Sequence, residues 1–351
     1  LLLTGNTSTM YAVGFLALDK DGPTVIDLPP GMLGVLDDMA FRYMTDLGVA
    51  GPDKGKGGKF LVLPPGYQGE VPKGYFVVPS KTNGVWVFTR GYLDKKLPLD
   101  KAIPAASANI RNHLKVYPLS REDNPPKTEF INVSGKEMNT ILPNDYSFFE
   151  KLHDLIQGEP DDYLGPEAKG MMAAIGIEKG KPFKPDARMK KILKEAAYVG
   201  SAAQRVVLYR NRDAEARVYP NSGWEHPWIG GSHEFVSNGA RLIDARCRFH
   251  MYATGITPAM VTPKVGSGTQ YIAGMRDSKG LRLDGSKTYK VHLPPNVPAN
   301  QFWAFTVYDV QTRSMLQTDQ RFPEITSADA GVQQNADGSY DVYFGPEAPA
   351  G

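Results

Sequence analysis

Met10-Tyr-Ala-Val-Gly-Phe-Leu-Ala-Leu18, closed off by Asp21-Gly22, is rich in aromatic and aliphatic residues and ends at a turn signal. It reads as a strand. The same grammar returns at Lys59-Phe-Leu-Val-Leu63, Tyr75-Phe-Val-Val78 and Val85-Trp-Val-Phe-Thr89, each bounded by Asp-Gly, Pro-Pro-Gly or Asn-Gly punctuation. As far as Tyr117 the reading is antiparallel β. With 36 glycines and 28 prolines the chain should be built from short strands and many turns.

The period then changes. Tyr146, Phe149, Leu152, Leu155 and Ile156 recur at helical spacing after Pro143-Asn144-Asp145 and stop before Gly158. This predicts a helix of about 13 residues. A longer helix is predicted from Pro185 to Arg212, with Met189, Ile192, Leu193, Ala196, Ala197, Val199 and Gly200 facing inward, and another over Arg241 to Thr254. From Thr257 the β grammar resumes in Gln270-Tyr-Ile-Ala273, Thr288-Tyr-Lys-Val-His-Leu293, Phe302-Trp-Ala-Phe-Thr-Val-Tyr308 and Tyr340-Asp-Val-Tyr-Phe344, with Asp-Gly turns at 284–285 and 337–338.

Strands, then helices, then strands argue against a doubly wound parallel sheet, which alternates the two throughout. The expected fold is mainly β with a helical middle segment, an α+β chain with two antiparallel β-sandwich or jelly-roll-like domains. An N-terminal β domain over 1–120, a helical linking segment over 121–256 and a C-terminal β-sandwich domain over 257–351 are the expected divisions. No fixed period links the two β parts.

Composition narrows function by exclusion. At 351 residues, 41% of them hydrophobic, the chain has enough apolar surface to bury more than one core. Lys and Arg number 40 against 38 Asp and Glu, so the net charge of +2 gives no steering toward a nucleic-acid partner. Cys247 is the single cysteine, so neither an intrachain disulfide nor a zinc knuckle of cysteine pairs is available. The longest apolar stretches, Tyr11–Leu18 and Gly170–Ile177, fall far short of the roughly 20 residues a membrane span needs. No basic n-region with a cleavage site is legible at Leu1-Leu2-Leu3.

The familiar catalytic motifs are missing. There is no Gly-x-Ser-x-Gly elbow. Gly51-Pro-Asp-Lys-Gly-Lys-Gly-Gly-Lys59 lacks phosphate-loop spacing and reads as an exposed, flexible loop or, alternatively, an anion-binding rim. Glu225-His226 and His233-Glu234 could share a metal, but the helical zincin spacing fails, so unrelated surface histidines are the competing reading. His250 in Cys247-Arg-Phe-His-Met-Tyr252 reads as a core histidine, and His113 as an ordinary loop or strand-end residue.

Two charged pairs stand out. Asp38 and Arg42 are four apart, so in a short helix a carboxylate and a guanidinium would share one side, paired structurally or binding a polar ligand together. Tyr308-Asp-Val-Gln-Thr-Arg313 follows a strongly apolar strand, where loops carry function, though Asp309 and Arg313 could instead fix the turn by a salt bridge.

Tyr11-Ala-Val-Gly-Phe15, Asp21-Gly-Pro-Thr-Val25, Pro29-Pro-Gly-Met-Leu-Gly34, Asp37-Asp38 through Arg42, Asp46-Leu-Gly48, Ala50–Lys59 and Leu63-Pro-Pro-Gly-Tyr67 together resemble the DUF1254 module. Pro294-Pro-Asn-Val-Pro-Ala299, Phe302–Asp309, Thr312-Arg-Ser-Met-Leu-Gln317 and Tyr343-Phe-Gly-Pro-Glu347 resemble the DUF1214 module that usually follows it. The resemblance implies a two-domain, largely β architecture with a helical insertion, from a mainly bacterial family with many exported members, hence a periplasmic or secreted location. It also implies further sequence at both ends. It transfers no catalytic residue set and names no cofactor or metal.

Two functions are carried forward. One is a small-molecule enzyme, a hydrolase or lyase, with a polar pocket between the β domains lined by Tyr11, Asp38, Arg42, Tyr308 and Arg313. Arg would hold an anionic group, Asp would act as base, and Tyr would donate to developing charge. The other is a non-catalytic binding or self-assembling protein. Expected partners are a small-molecule ligand and further copies of the chain in a homo-oligomer.

Overall fold

The computed structural model describes residues 3–94, 96–227, 231–262, 270–299, 302–320, 322–329 and 331–348. The first third is built as the strand grammar predicts. Strands β1 (Thr9–Ala17), β2 (Thr24–Leu28), β3 (Met32–Asp38), β4 (Tyr43–Gly48), β5 (Gly58–Leu63), β6 (Phe76–Pro79), β7 (Gly84–Tyr92) and β8 (Lys115–Pro118) form two four-stranded sheets. Their orders are β1-β7-β3-β4 and β6-β5-β2-β8. A one-turn helix, α1 (Leu18–Asp21), follows β1.

One apolar cluster draws on both sheets: Leu16, Leu36, Leu47, Val85 and Val87 from the first, Ile26, Phe60, Val62 and Val78 from the second. Burying such side chains completely contributes about 1.5–3 kcal/mol each, which fixes strand register because a one-residue slip would turn each of them outward. Not every pair is antiparallel as expected. β5 and β6 run parallel, joined by the Pro-rich connection 64–75 rather than a tight hairpin.

Helix α2 (Leu99–His113) was not legible among the strand signals of the first third. Only Ala102, Ala106 and Ile110 are buried, a narrow stripe that Pro104 interrupts, and Ile110 joins the cluster beneath β1 and β7.

The middle segment holds α3 (Ser147–Gly158), α4 (Pro166–Ala174) and α5 (Ala187–Tyr209). The first agrees with the predicted helix to within a residue or two. In α5, Asp186 caps the first turn by accepting from Met189 N at 2.7 Å. The expected inward face is corrected: Leu193, Ala197 and Leu208 are buried, whereas Ile192 and Val199 are exposed. Two short ladders, β9 (Trp224–Glu225) with a partner near residue 273 and β10 (Val236–Ser237) with β11 (Ala240–Arg241), precede α6 (Ile243–Ala253) and the short α7 (Pro258–Val261).

The last third is β-rich but thin. After β12 (Ala273–Gly274), the partner of β9, β13 (Tyr289–Leu293) pairs with β16 (Tyr340–Phe344), and β14 (Ala304–Thr306) with β15 (Glu324–Thr326). All are two-stranded and antiparallel. The turns at Asp284 and Asp337 form as predicted, each Oδ1 accepting from the backbone N–H and hydroxyl of a serine two residues on. Edge-to-face contacts of Trp303 with Phe305 and Tyr340, and of Phe305 with Phe344, link the ladders. Seven helices and six small sheets make a mixed, β-rich chain with no closed barrel among the described residues.

Candidate functional site

The first sheet has a second face, opposite the shared core, and its cross-strand register sets out the chemistry in rows. Phe15, Trp86, Asp37 and Tyr43 align in one row; Val13, Phe88, Val35 and Asp46 in the next; Tyr11, Arg90 and Leu33 in a third. At about 3.4 Å per residue the first and third rows lie about 14 Å apart. Residues from the middle and last thirds cover the β7–β3–β4 part of this face, while Val13 and Phe15 of β1 stay exposed. Gly255 packs on Trp86, Ile256 reaches Asp37, and Tyr271 meets Arg90.

Asp37 anchors the first end. It is 2% exposed, and its Oδ2 accepts from Ile256 N at 2.8 Å while Oδ1 is buried with no partner. Burial, opposed by that backbone donor and reinforced by Asp38 and Asp46, holds its carboxyl well above the usual range. Burial likewise raises Asp46, against hydrogen bonds from Thr257 and Tyr43 and the nearby His233. The Tyr43 hydroxyl donates to Asp46 Oδ2 at 3.1 Å and accepts from Asp46 N at 3.0 Å. Burial and the Asp46 charge push that phenol up to about 12. His233 stands edge-on to Tyr43, with ring centres 5.3 Å apart.

Arg90 and Tyr11 define the other end. The hydroxyls of Tyr11 and Tyr271 are within hydrogen-bonding reach of the Arg90 guanidinium, whose Nε is buried without a partner. Tyr11 also accepts from Asn6 N at 3.1 Å. Tyr308, raised chiefly by burial, donates to the carbonyl of Gly5 at 2.9 Å. Arg313 N–H bonds Asp309 O, and Arg313 O accepts from Thr4 N at 2.9 Å. Residues 4–6 therefore gather Tyr11, Tyr308 and Arg313 into one neighbourhood.

Asp38 and Arg42 lie elsewhere. The segment 36–46 is the β3–β4 hairpin, not the short helix expected, because Asp38 Oδ1 accepts from Ala40 N and Arg42 N and closes a tight turn instead. The ion pair does form: Arg42 Nε lies 2.6 Å from Asp38 Oδ2, and Arg42 Nη1 donates to Tyr163 O. Asp38 sits five residues along β3 from the Leu33 row, about 17 Å from the Tyr11 end by strand rise. Helix α6 runs between the two groups, with Arg246 bonded to Ala40 O and His250 packed edge-on against Phe41. Burial, then Arg246 and Arg313, lowers the His250 pKa.

The turn after Tyr308 is fixed differently from the salt bridge weighed above. Asp309 Oδ1 accepts from Gln311 N, Thr312 N and Thr312 Oγ1, while the Arg313 guanidinium donates to Thr140 O and Gln311 O. In the 51–59 loop, buried Asp53 accepts from Gly48 N and Gly57 N, so an acidic side chain organises the backbone. An open cleft of about 580 Å³ brings Lys56 of that loop beside His113, Lys115, Asn109 and Asn112. A second cavity, about 320 Å³, lies between α3 and α4, lined by Ile156, Tyr163, Met172 and Ile177. Among the described residues no three His, Cys, Asp or Glu side chains converge to hold a metal.

Sequence reasoning passed over Asp37, Asp46 and Arg90. Alternation along β3 and β7 was the available signal: a carboxylate and a guanidinium fall on the same parity as Val35, Trp86 and Phe88, so they point to a face that is otherwise apolar.

The chain has two sequence modules joined by a helical segment, and comparison with known proteins gives both an identity. Residues 1–118 match the family described as protein of unknown function DUF1254, and residues 268–351 match protein of unknown function DUF1214. The chain belongs to the DUF1254/DUF1214 two-module family. No curated protein matches it. Among solved structures it is similar to the VPA0106 protein of Vibrio parahaemolyticus, with 20% identity and a TM-score of 0.57 over 97% of this chain and 78% of that one. At that identity the likeness shows the fold alone.

Proposed function

We propose that this chain is a small-molecule enzyme of the hydrolase or lyase type, working on the covered face of its first sheet. Asp37, whose burial favours the protonated carboxyl, donates a proton as general acid, and Asp46, bonded by Thr257 and Tyr43, receives one. Arg90 with the hydroxyls of Tyr11 and Tyr271 holds an anionic group of the substrate at the far end of the face. Tyr308 and Arg313 position that end through residues 4–6, and the Asp38–Arg42 pair positions the hairpin next to Asp37. The single observation that carries the reading is Asp37 Oδ1, a buried carboxylate oxygen without a partner beside a second carboxylate.

The test is turnover on a panel of esters, amides, glycosides and carboxylated substrates of elimination. Asp37→Asn should lower kcat on the responsive substrate by about 100-fold or more, with circular dichroism unchanged. Full turnover in that variant would sink the assignment.

A binding or assembly role is favoured by one separate observation. Phe15 is 60% exposed on β1, an outer strand of its sheet bonded on one side to β7, and Val13 beside it is exposed too. If copies associate there, Phe15→Lys shifts the protein to a smaller species on sizing at fixed concentration. Unchanged elution would remove this reading.

A further inference from the structure

Four buried side-chain atoms without partners lie in the stretch 211–248: Arg248 Nε and Nη1, Asn211 Nδ2 and His226 Nδ1. Arg248, on α6, is 1% exposed, the largest fully buried side chain among the described residues. Its Nη2 donates to Glu225 Oε2 at 2.6 Å, which uses one corner of the guanidinium and leaves the other two unanswered. A buried guanidinium normally satisfies every donor, because stripping water from N–H groups without replacing it is costly.

The surroundings of Arg248 are rich in charge. His226 follows Glu225 directly, and its N–H is bonded to Ala216 O at 2.6 Å. Arg217 pairs with Glu225 across a backbone bridge. Arg276 Nη2 donates to Tyr209 O at 2.9 Å, two residues before Asn211. Arg217, Arg248 and Arg276 all act electrostatically on Glu225, and Asp213 is the further carboxylate near it. Three guanidiniums thus face two carboxylates, an excess of one positive charge. Asp213 and Arg217 are exposed, so the niche has a solvent-facing rim.

We propose that a small oxyanion binds beside Arg248, accepting from Nε, Nη1 and Asn211 Nδ2, and so ties the 209–226 segment to α6. The unused donors of Arg248 are buried and cationic, which suits a phosphate or carboxylate group rather than a neutral ligand. The site is separate from the sheet face that carries Asp37, and it stands whether or not that face is catalytic.

Calorimetric titration of the whole chain at low ionic strength with inorganic phosphate, and separately with acetate, tests this. Saturable one-site binding of at least one anion is expected. Saturation by phosphate alone identifies a phosphate-type ligand, and saturation by acetate a carboxylate. Asn211→Leu should weaken binding about tenfold or more by loss of a buried donor, and Arg276→Gln should weaken it by removing one of the three positive charges acting on Glu225. Arg248→Met should abolish it; the two less buried variants keep the test valid if that protein does not fold. Asp37→Asn should bind as the parent chain does. No saturable heat with either anion, equal affinity in Asn211→Leu and Arg276→Gln, or a crystal grown in phosphate with only ordered waters on Arg248 would overturn the proposal.

Discussion

Asp37 carries its charge state as a constraint on folding. In the unfolded chain its carboxyl ionises in the ordinary range, whereas in the folded protein burial keeps it neutral to higher pH. The folded state therefore holds the extra proton. Its stabilising effect is complete below the unfolded pKa and declines as pH rises through the folded value. Melting followed from pH 5 to pH 8 should show a falling Tm, and Asp37→Asn should flatten part of that fall. Parallel slopes in the two proteins would mean that the carboxylate is not the group responsible. Asp38, one residue on, has both carboxylate oxygens bonded, each accepting from Arg42 or the hairpin backbone. Asp38→Ala leaves those donors unanswered and should cost about 2–3 kcal/mol in denaturant unfolding. A loss under about 0.5 kcal/mol would show the turn to be held by its backbone alone.

Between elements, the contact of the 254–257 segment with β7 fixes the covered face. A Cβ built on Gly255 would lie 2.2 Å from a ring carbon of Trp86 and 3.4 Å from Asp37 Oδ2. Neither neighbour can retreat, because Trp86 is 7% exposed and Asp37 is bonded to Ile256 N. Gly255→Ala should therefore destabilise by about 1–3 kcal/mol through overpacking and draw Ile256 away from Asp37. Wild-type stability with wild-type activity in this variant would show that the segment can lift without consequence. Glu159 makes a comparable join from the end of α3: buried, it accepts from Gly84 N at 3.0 Å and from Asn83 N, fastening the helical segment to the turn before β7.

At the scale of the molecule, Phe41 links the first third to the middle. It stacks on Phe235 and Phe249, meets His250 edge-on and lies under the Arg246 guanidinium. Phe41 packs with Phe235 and Phe249 in an apolar cluster apart from that of the two sheets, together with Ile256 and Val261. Phe41→Ala should cost about 3 kcal/mol or more, and hydrogen exchange should quicken over 235–261 while β2 and β5 keep their protection. Uniform quickening throughout would show one cooperative unit instead. The C-terminal ladders touch the first third through residues 4–7, where Thr7 Oγ1 donates to Glu324 Oε1 and Thr4 N to Arg313 O.

Much of this was legible along the chain. Strand runs such as 10–18 and 85–89, the helices near 146–158 and 187–209, the Asp-Gly turns and the two-module kinship all follow from local pattern, because alternation, helical period and turn chemistry act between residues close in sequence. The pairing of Asp38 with Arg42 was legible for the same reason, though in a hairpin rather than a helix. Tertiary structure alone decided that Asp37, Asp46 and Arg90 share one covered face, that residues 4–6 collect Tyr11, Tyr308 and Arg313, and that Arg248 is buried against Glu225. Each of those meetings depends on sheet register and on segments up to about 300 residues apart, and register is set by which side chains fill the common core, a property of the whole packed chain that no short window contains.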